Sequence, residues 1–193
     1  IDCAVDARIL EALGRVMDFY DHEIDYVVVT HPDMDHYGGC VDVLRRFKIK
    51  TLIYDGFVKH ESEYWRFFMD TVKSLEASGL SFVQANSEFS WDFGGSQIDF
   101  LFPDRDISVH GPPPGIDPSS GNNASIVIKI SYGTQDILFM ADAEKELEQY
   151  LVEKHGDKLD VEVLKVGHHG SDTSSSQRFL DRVSPDHAVI SSG

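Results

Sequence analysis

A chain of 193 residues with 17 basic and 33 acidic side chains carries a formal charge of −16 at neutral pH. Such a surface repels polyanions at long range, which counts against a nonspecific grip on nucleic acid but leaves open a locally basic or metal-bridged approach. With 41% apolar residues and no apolar run of membrane-spanning length, the composition suits one globular domain spanning residues 1–193.

The chain opens on Ile1-Asp2 like the end of a strand, so it is expected to be a fragment of a longer protein. The compartment therefore stays open: extracytoplasmic or membrane-associated through a segment not given, or cytoplasmic. Cys3 and Cys40 form no CxxC pair and no framework, which favours two unpaired thiols over an opportunistic disulfide.

Ile9, Leu10, Leu13, Val16 and Met17 recur at helical spacing and predict a helix over Ala7–Phe19. The β-branched run Val27-Val28-Val29 predicts a buried strand over Asp25–Thr30. A short helix is expected at Gly38–Phe47, a strand at Thr51–Tyr54, and a longer helix at Glu61–Ser78 closed by Gly79. Its aromatic residues Tyr64, Trp65, Phe67 and Phe68 read as a core face, with base stacking as the other reading. Arg45–Lys50, RRFKIK, reads as a helix C-terminus complementing the helix dipole, or else as a contact for a phosphate backbone.

Leu80–Gln84 and Gln97–Phe102 have strand character, whereas Pro103–Asn122, with its HGPPPGIDPSSG, is too rich in Pro and Gly for a helix or central strand. Ser125–Ser131 and Asp136–Met140 predict a hairpin around Tyr132-Gly133-Thr134. A helix over Ala143–Lys154, a strand over Val161–Val166, a helix over Ser175–Val183 and a strand over His187–Ser191 complete the series. Alternating strands and helices with a hairpin argue a mixed-sheet α/β sandwich.

Three strand ends carry metal-ligand chemistry. THPDMDHYGG sets His31, Asp33, Asp35 and His36 just beyond an apolar strand, where an open sheet presents side chains to a crevice. Pro32 limits the loop's freedom, and Gly38-Gly39 permits close backbone approach. ILFMADAEKE places Asp142 at a second strand end, where a helix N-cap is the plainer reading. VEVLKVGHHGS places His168 and His169 at a third. Taken together, the three point to a metal site, with two ions.

THPDMDHYGG, GNNASIVIKI, ILFMADAEKE and LKVGHHGSDTSSS occur in the order and context of the metallo-β-lactamase superfamily, and the chain resembles it along nearly its whole length. It looks most like the soluble domain of ComEC-type DNA-uptake (competence) proteins. The superfamily's HxHxDH reads HxDxDH here, with Asp33 in the second histidine's place, as is typical of that subgroup. The resemblance implies an αβ/βα sandwich of two mixed sheets flanked by helices, here lacking terminal strands.

It further implies that His31 and Asp33 hold one metal, and that Asp35 and His36 hold the second. Asp142 would bridge, and one of His168 and His169 would complete the second site. Asn123 stands near where many members carry a further histidine, and either coordinates through its carbonyl or yields to water. Asp2 matches an acid that orients a ligand. Two departures stand out: Cys3-Ala4 replaces a pair of glycines, and Ala141 replaces a glycine, which costs stability wherever positive φ is required.

Three carboxylates beside about three histidines favour two divalent ions, Zn²⁺ or Mn²⁺. The implied chemistry is attack of a bridging hydroxide on a phosphodiester, with Asp35 and the histidine pair as catalytic residues. The non-ligating histidine is expected to protonate the leaving group, with Ser171 and Ser174 as phosphate donors; the alternative for SDTSSS is a helix N-cap. DNA in a competence context is the expected substrate. The alternatives are a small phosphodiester, lactone or thioester, or a degenerate, non-enzymatic domain of a DNA-uptake assembly. Oligomeric state is not legible.

Overall fold

Three parallel strands organise the first half of the chain: β1 (Glu23–Val29), β2 (Lys48–Tyr54) and β3 (Ser81–Gln84), in that spatial order. The computed structural model describes residues 1–57, 62–86, 89–117 and 119–191 and divides into two compact units, 1–84 and 85–193. In the first unit, Val29 pairs with Tyr54 and Tyr54 with Gln84, so the three C-terminal strand ends lie along one sheet edge.

Parallel strands need crossovers, and helices supply them. α1 (Arg8–Val16) precedes β1; α2 (Met34–Tyr37) and α3 (Cys40–Arg46) join β1 to β2; α4 (Glu63–Glu76) joins β2 to β3. The expected start of α4 at Glu61 lies outside the described residues. Its aromatic stripe is core. Trp65 and Phe68 are buried with ring centroids 4.8 and 5.4 Å from Tyr37, and burying a side chain such as Phe68 contributes roughly 2–3 kcal/mol.

Several expectations need correction here. α1 stops at Val16 rather than Phe19, because the chain turns at Asp18–Asp21, where Asp18 accepts both the Asp21 amide and the Tyr20 hydroxyl. The helix expected over Gly38–Phe47 is two short helices divided at Gly38-Gly39. A Cβ on Gly38 would lie 2.1 Å from Val5 O, and one on Gly39 2.3 Å from Cys3 O, so the glycines admit the 3–6 segment. β2 begins at Lys48, inside RRFKIK, with Lys48 and Lys50 salt-bridged across the sheet to Glu23 and Asp25 at 2.9 and 2.6 Å. Cys3 and Cys40 are joined as a disulfide, not free, since the glycine pair brings their Cα atoms to 5.1 Å.

The second unit is built on six strands in sequence order: β4 (Ser90–Phe93), β5 (Ser96–Phe102), β6 (Val127–Tyr132), β7 (Gln135–Phe139), β8 (Val163–Lys165) and β9 (His187–Val189). Pairing is antiparallel from β4 to β7 and parallel from β7 to β9. Among the described residues the first sheet pairs in parallel throughout and this one is mixed, where two mixed sheets were expected.

β4 was not anticipated. Gly94-Gly95, at φ 60° and 84°, turns it into β5 with the left-handed backbone a tight hairpin needs. A short helix, α5 (Ile107–His110), also forms within the Pro-rich segment, because Asp106 caps it by accepting Ser108 and Val109 amides. α6 (Lys145–His155) and α7 (Gln177–Val183) pack Leu147, Leu151 and Phe179 with Leu138, Met140 and Leu164 in this unit's own core. No helix among the described residues is long and apolar enough to cross a membrane.

Candidate metal centre

β1 delivers Thr30 and His31, both buried, to the C-terminal edge of the parallel sheet. Asp2 reaches the same place, its amide donating to Val28 O at 2.8 Å. Its carboxylate accepts the Thr30 amide and the Thr30 hydroxyl, each at 2.9 Å, and lies 2.8 Å from His36 Nδ1. Ionised Asp2 has only acceptors, so His36 carries its proton on Nδ1. Thr30 gives its own proton to Asp2 and therefore accepts from His31 Nδ1, 3.1 Å away. One carboxylate thus fixes two imidazoles, directly and through a hydroxyl, and leaves both Nε2 atoms as lone-pair donors, the second-layer pattern of metal-binding histidines. Burial pushes the Asp2 carboxyl up, but the hydrogen bond and charge of His36 outweigh it and hold the group below its ordinary value.

His36 Nε2 stands 3.7 Å from Asp35 Oδ2, and His31 Nε2 3.9 Å from Asp33 Oδ2, with the two rings 4.1 Å apart. Two ligands each about 2.1 Å from a tetrahedral ion lie about 3.4 Å apart, so small adjustments would let these pairs share ions. Asp33 is extended and precedes α2, while Asp35 and His36 lie in its single turn.

In the second unit β7 runs into Met140-Ala141-Asp142. Asp142 is buried and does not cap α6, whose N-cap is Glu144; its amide instead donates to Ser125 Oγ at 3.2 Å. His169 Nε2 lies 3.5 Å from Asp142 Oδ2, again a ligand-like separation. Its Nδ1 is 2.7 Å from the Ser191 carbonyl, which only accepts, so Nδ1 bears the proton and Nε2 the lone pair. His168 is turned elsewhere, with Nδ1 2.7 Å from Thr173 Oγ1 and 3.4 Å from Glu144 Oε1. Between the two histidines the geometry favours His169 as the ligand.

Asn123 is buried and engaged. Its Oδ1 accepts the Glu144 amide at 3.0 Å and its Nδ2 donates to Glu146 at 3.2 Å. Ser174 is buried too, and its hydroxyl donates to Gly167 O and Ser171 O. Ser176 is the cap of α7, accepting the Phe179 amide, while buried Glu148 accepts the Ser175 and Ser176 amides. Ser171 Oγ accepts from Thr173 and lies at a partly exposed position.

Left-handed backbone gathers around these groups: φ is 57° at Asp2, 56° at Ala4, 48° at Ala141, 43° at His168 and 53° at His169. Asp2, His168 and His169 are themselves among the candidate side chains, and strain of this kind concentrates at functional sites.

Two residues at these strand ends escaped the sequence reading. Asp55, one residue past β2, is buried and accepts the Phe57 amide through Oδ1 at 3.0 Å. Its Oδ2 has no well-formed hydrogen bond among the described residues, although the Tyr54 hydroxyl lies near. Burial drives its carboxyl well above the ordinary value, and the charge of Asp2 adds to that. The second is Glu144. The signal for Asp55 was a strand-terminal position like that of His31 and Asp142; nothing in the sequence marked Glu144, which the structure makes the N-cap residue of α6.

The model of the metallo-beta-lactamase superfamily matches residues 19–193. ComE operon protein 3 of Bacillus subtilis is 30% identical over 173 residues, covering 89% of this chain and 20% of that protein. Competence protein ComA of Neisseria gonorrhoeae is 31% identical over 170 residues, 88% of this chain and 20% of that protein. The chain thus spans about a fifth of the length of these relatives. Among solved structures, that of the CmlA beta-hydroxylase E377D mutant matches at a TM-score of 0.50 with 12% identity, over 86% of this chain and 36% of that one, a likeness of fold.

Proposed function

The chain belongs to the metallo-β-lactamase superfamily, and from that premise we propose that it is a dinuclear metal-dependent phosphodiesterase acting on DNA in a DNA-uptake context. The observation that carries the metal reading is the repeated pairing of an imidazole Nε2 with a carboxylate at 3.5–3.7 Å, each imidazole pinned at Nδ1 by an acceptor. The proposed ligands are His31, Asp33, Asp35 and His36 in the first unit, and Asp142 and His169 in the second. Asn123 is left out because its amide oxygen already accepts the Glu144 amide. Two divalent ions, Zn²⁺ or Mn²⁺, would supply Lewis acidity and a water that ionises near neutral pH.

The chain's own residues do the rest in this reading. Asp2 and Thr30 keep His31 and His36 in one tautomer, and the Ser191 carbonyl does so for His169. His168, outside the ligand set, hands a proton to the departing ester oxygen. Ser171 is kept as a donor to a phosphate oxygen, whereas Ser174 spends its hydroxyl inside the loop. Support for DNA comes from Asp33 in the HxDxDH motif and from the competence proteins among the relatives.

The test is cleavage of end-labelled single-stranded DNA by chelator-stripped protein resupplied with Mn²⁺ or Zn²⁺, beside an Asp142→Ala variant. Metal-dependent cleavage that disappears in the variant supports the proposal; no cleavage with either metal overturns it. The acidic surface, at −16, favours a second reading in which the substrate is a small phosphodiester. Turnover of bis(4-nitrophenyl) phosphate without DNA cleavage would select it.

A further inference from the structure

Among residues 1–8 the side chain of Cys3 alone is buried; Ile1 and the stretch from Ala4 to Arg8 are exposed, and Asp2 is partly so. The segment therefore has almost no apolar anchorage of its own. A few hydrogen bonds and one covalent tie hold it. The Asp2 amide donates to Val28 O at 2.8 Å, the Cys3 amide to His36 O at 2.7 Å, and Ala4 O accepts the Gly39 amide at 3.0 Å. Cys3 is bonded to Cys40, the first residue of α3, in the helical turn that follows His36. Both residues flanking Cys3 have left-handed backbone, Asp2 at φ 57° and Ala4 at φ 56°, which an L-residue leaves when nothing holds it there.

This strained segment carries the orienting acid of the first unit. Asp2 accepts two hydrogen bonds from Thr30 and one from His36 Nδ1. The disulfide thus joins the piece of chain that bears the acid to the turn that bears the imidazole it orients. The core does not need the bond. Val41, Val43 and Leu44 bury α3 among apolar neighbours, and two buried thiols pack as small apolar side chains. Breaking the bond therefore frees the first residues without unfolding the unit around them. The sulfurs are buried, so a reductant reaches them when the lightly packed segment lifts.

We propose that the Cys3–Cys40 disulfide is a redox switch for the metal centre. Oxidised, it clamps Asp2 onto Thr30 and His36; reduced by a dithiol, it releases that segment and metal binding weakens. This rests on the metal-centre reading above. A thiolate of the dithiol attacks one protein sulfur, the S–S bond breaks, and the departing cysteine thiolate takes up a proton. The second thiol of the reductant then closes onto the first and releases the other cysteine. Two electrons and two protons pass from the dithiol to the protein, giving two cysteine thiols and one disulfide of the reductant. The chain has two cysteines, so no alternative pairing competes when an oxidised disulfide reverses the step.

The experiment measures Zn²⁺ affinity by competition with a chromogenic chelator on the metal-free chain in three states. These are air-oxidised, reduced with dithiothreitol and desalted under argon, and reoxidised with the disulfide form of that reagent. Mass shifts on alkylation count the thiols, and far-UV circular dichroism follows the fold. Cys3→Ala/Cys40→Ala and Asp2→Asn pass through the same cycle. Reduction is expected to weaken Zn²⁺ binding tenfold or more with the circular dichroism unchanged, and reoxidation to restore it. The alanine pair, which has no thiols to bind zinc, should match reduced wild type whatever the treatment. In Asp2→Asn, already weakened, reduction should remove less than a further threefold, because the tie acts through that carboxylate.

Free thiols persisting in the air-oxidised chain would overturn the switch. So would reduced wild type or an alanine pair that binds Zn²⁺ as tightly as the oxidised protein, or loss of the fold on reduction. A further tenfold loss in reduced Asp2→Asn would do the same, since the bond would then act apart from Asp2. Each of these outcomes leaves the metal centre in place. Oxidised wild type that binds no Zn²⁺ would overturn the metal-centre reading and the switch with it.

Discussion

Asp2 carries no metal in the proposed set, yet two of its imidazoles depend on it. Replacing Asp2 by Asn preserves shape but offers a single acceptor oxygen where the carboxylate meets three donors. Loss of such a partner typically weakens a metal site about 10–100-fold, and competition with a chromogenic chelator would read that shift; unchanged affinity would remove Asp2 from the site. Asp55 makes the opposite case. Its folded-state carboxyl is raised by burial, so the folded protein holds a proton there after the unfolded chain, near 3.8, has released it. Its contribution to stability is therefore fully present below that value and is lost as pH rises through the folded one. Asp55→Asn should remove this slope and stabilise the neutral-pH protein by about 1 kcal/mol, seen as urea midpoints that converge with wild type in acid and diverge above it. Parallel curves at every pH would contradict the neutral, buried acid.

At the scale of elements, the three strand ends that carry the candidate ligands were legible as strand ends because each follows an apolar run with the character of a buried strand. Val27-Val28-Val29 leads to His31, Ile137-Leu138-Phe139 to Asp142, and Val163-Leu164 to the histidine pair. What could not be read was set by contacts between distant segments. The Cys3–Cys40 disulfide spans 37 positions and has no motif; it follows from the way Gly38 and Gly39 admit the 3–6 loop. β4 is four residues long, too short for alternation to speak, and the choice between His168 and His169 turned on Ser191 and Thr173. The residues that stand in place of glycine act at this scale as well. Ala4 and Ala141 do adopt positive φ, 56° and 48°, while Cys3 is not among the residues that do. An L-residue there is strained, so Ala4→Gly and Ala141→Gly should each stabilise by about 1 kcal/mol. Thermal melts showing either variant destabilised would mean that the methyl group packs better than the strain costs.

Over the whole molecule the issue is how a chain of charge −16 approaches a polyanion. Its cations offer little help, because many are already committed. Lys48 and Lys50 pair with Glu23 and Asp25, Arg178 with Glu153, Arg182 with Asp157, Lys154 with Asp104, and Lys129 with Asp136. RRFKIK, the most basic run in the sequence, is thereby split between a helix end and a neutralised strand. A protein that grips DNA through 6–10 phosphates loses about 10³–10⁵ in affinity between 50 and 200 mM salt, because that many counterions are released. A chain that meets its substrate through one or two phosphates at a metal centre releases few. If single-stranded DNA is the substrate, its KM should therefore rise less than about tenfold over that salt range. Added salt should even help long strands relative to short ones, by screening the repulsion between the acidic surface and the distant phosphates. A steep loss of affinity with salt, alike for long and short strands, would place DNA recognition on a basic surface and not at the strand-end carboxylates and histidines.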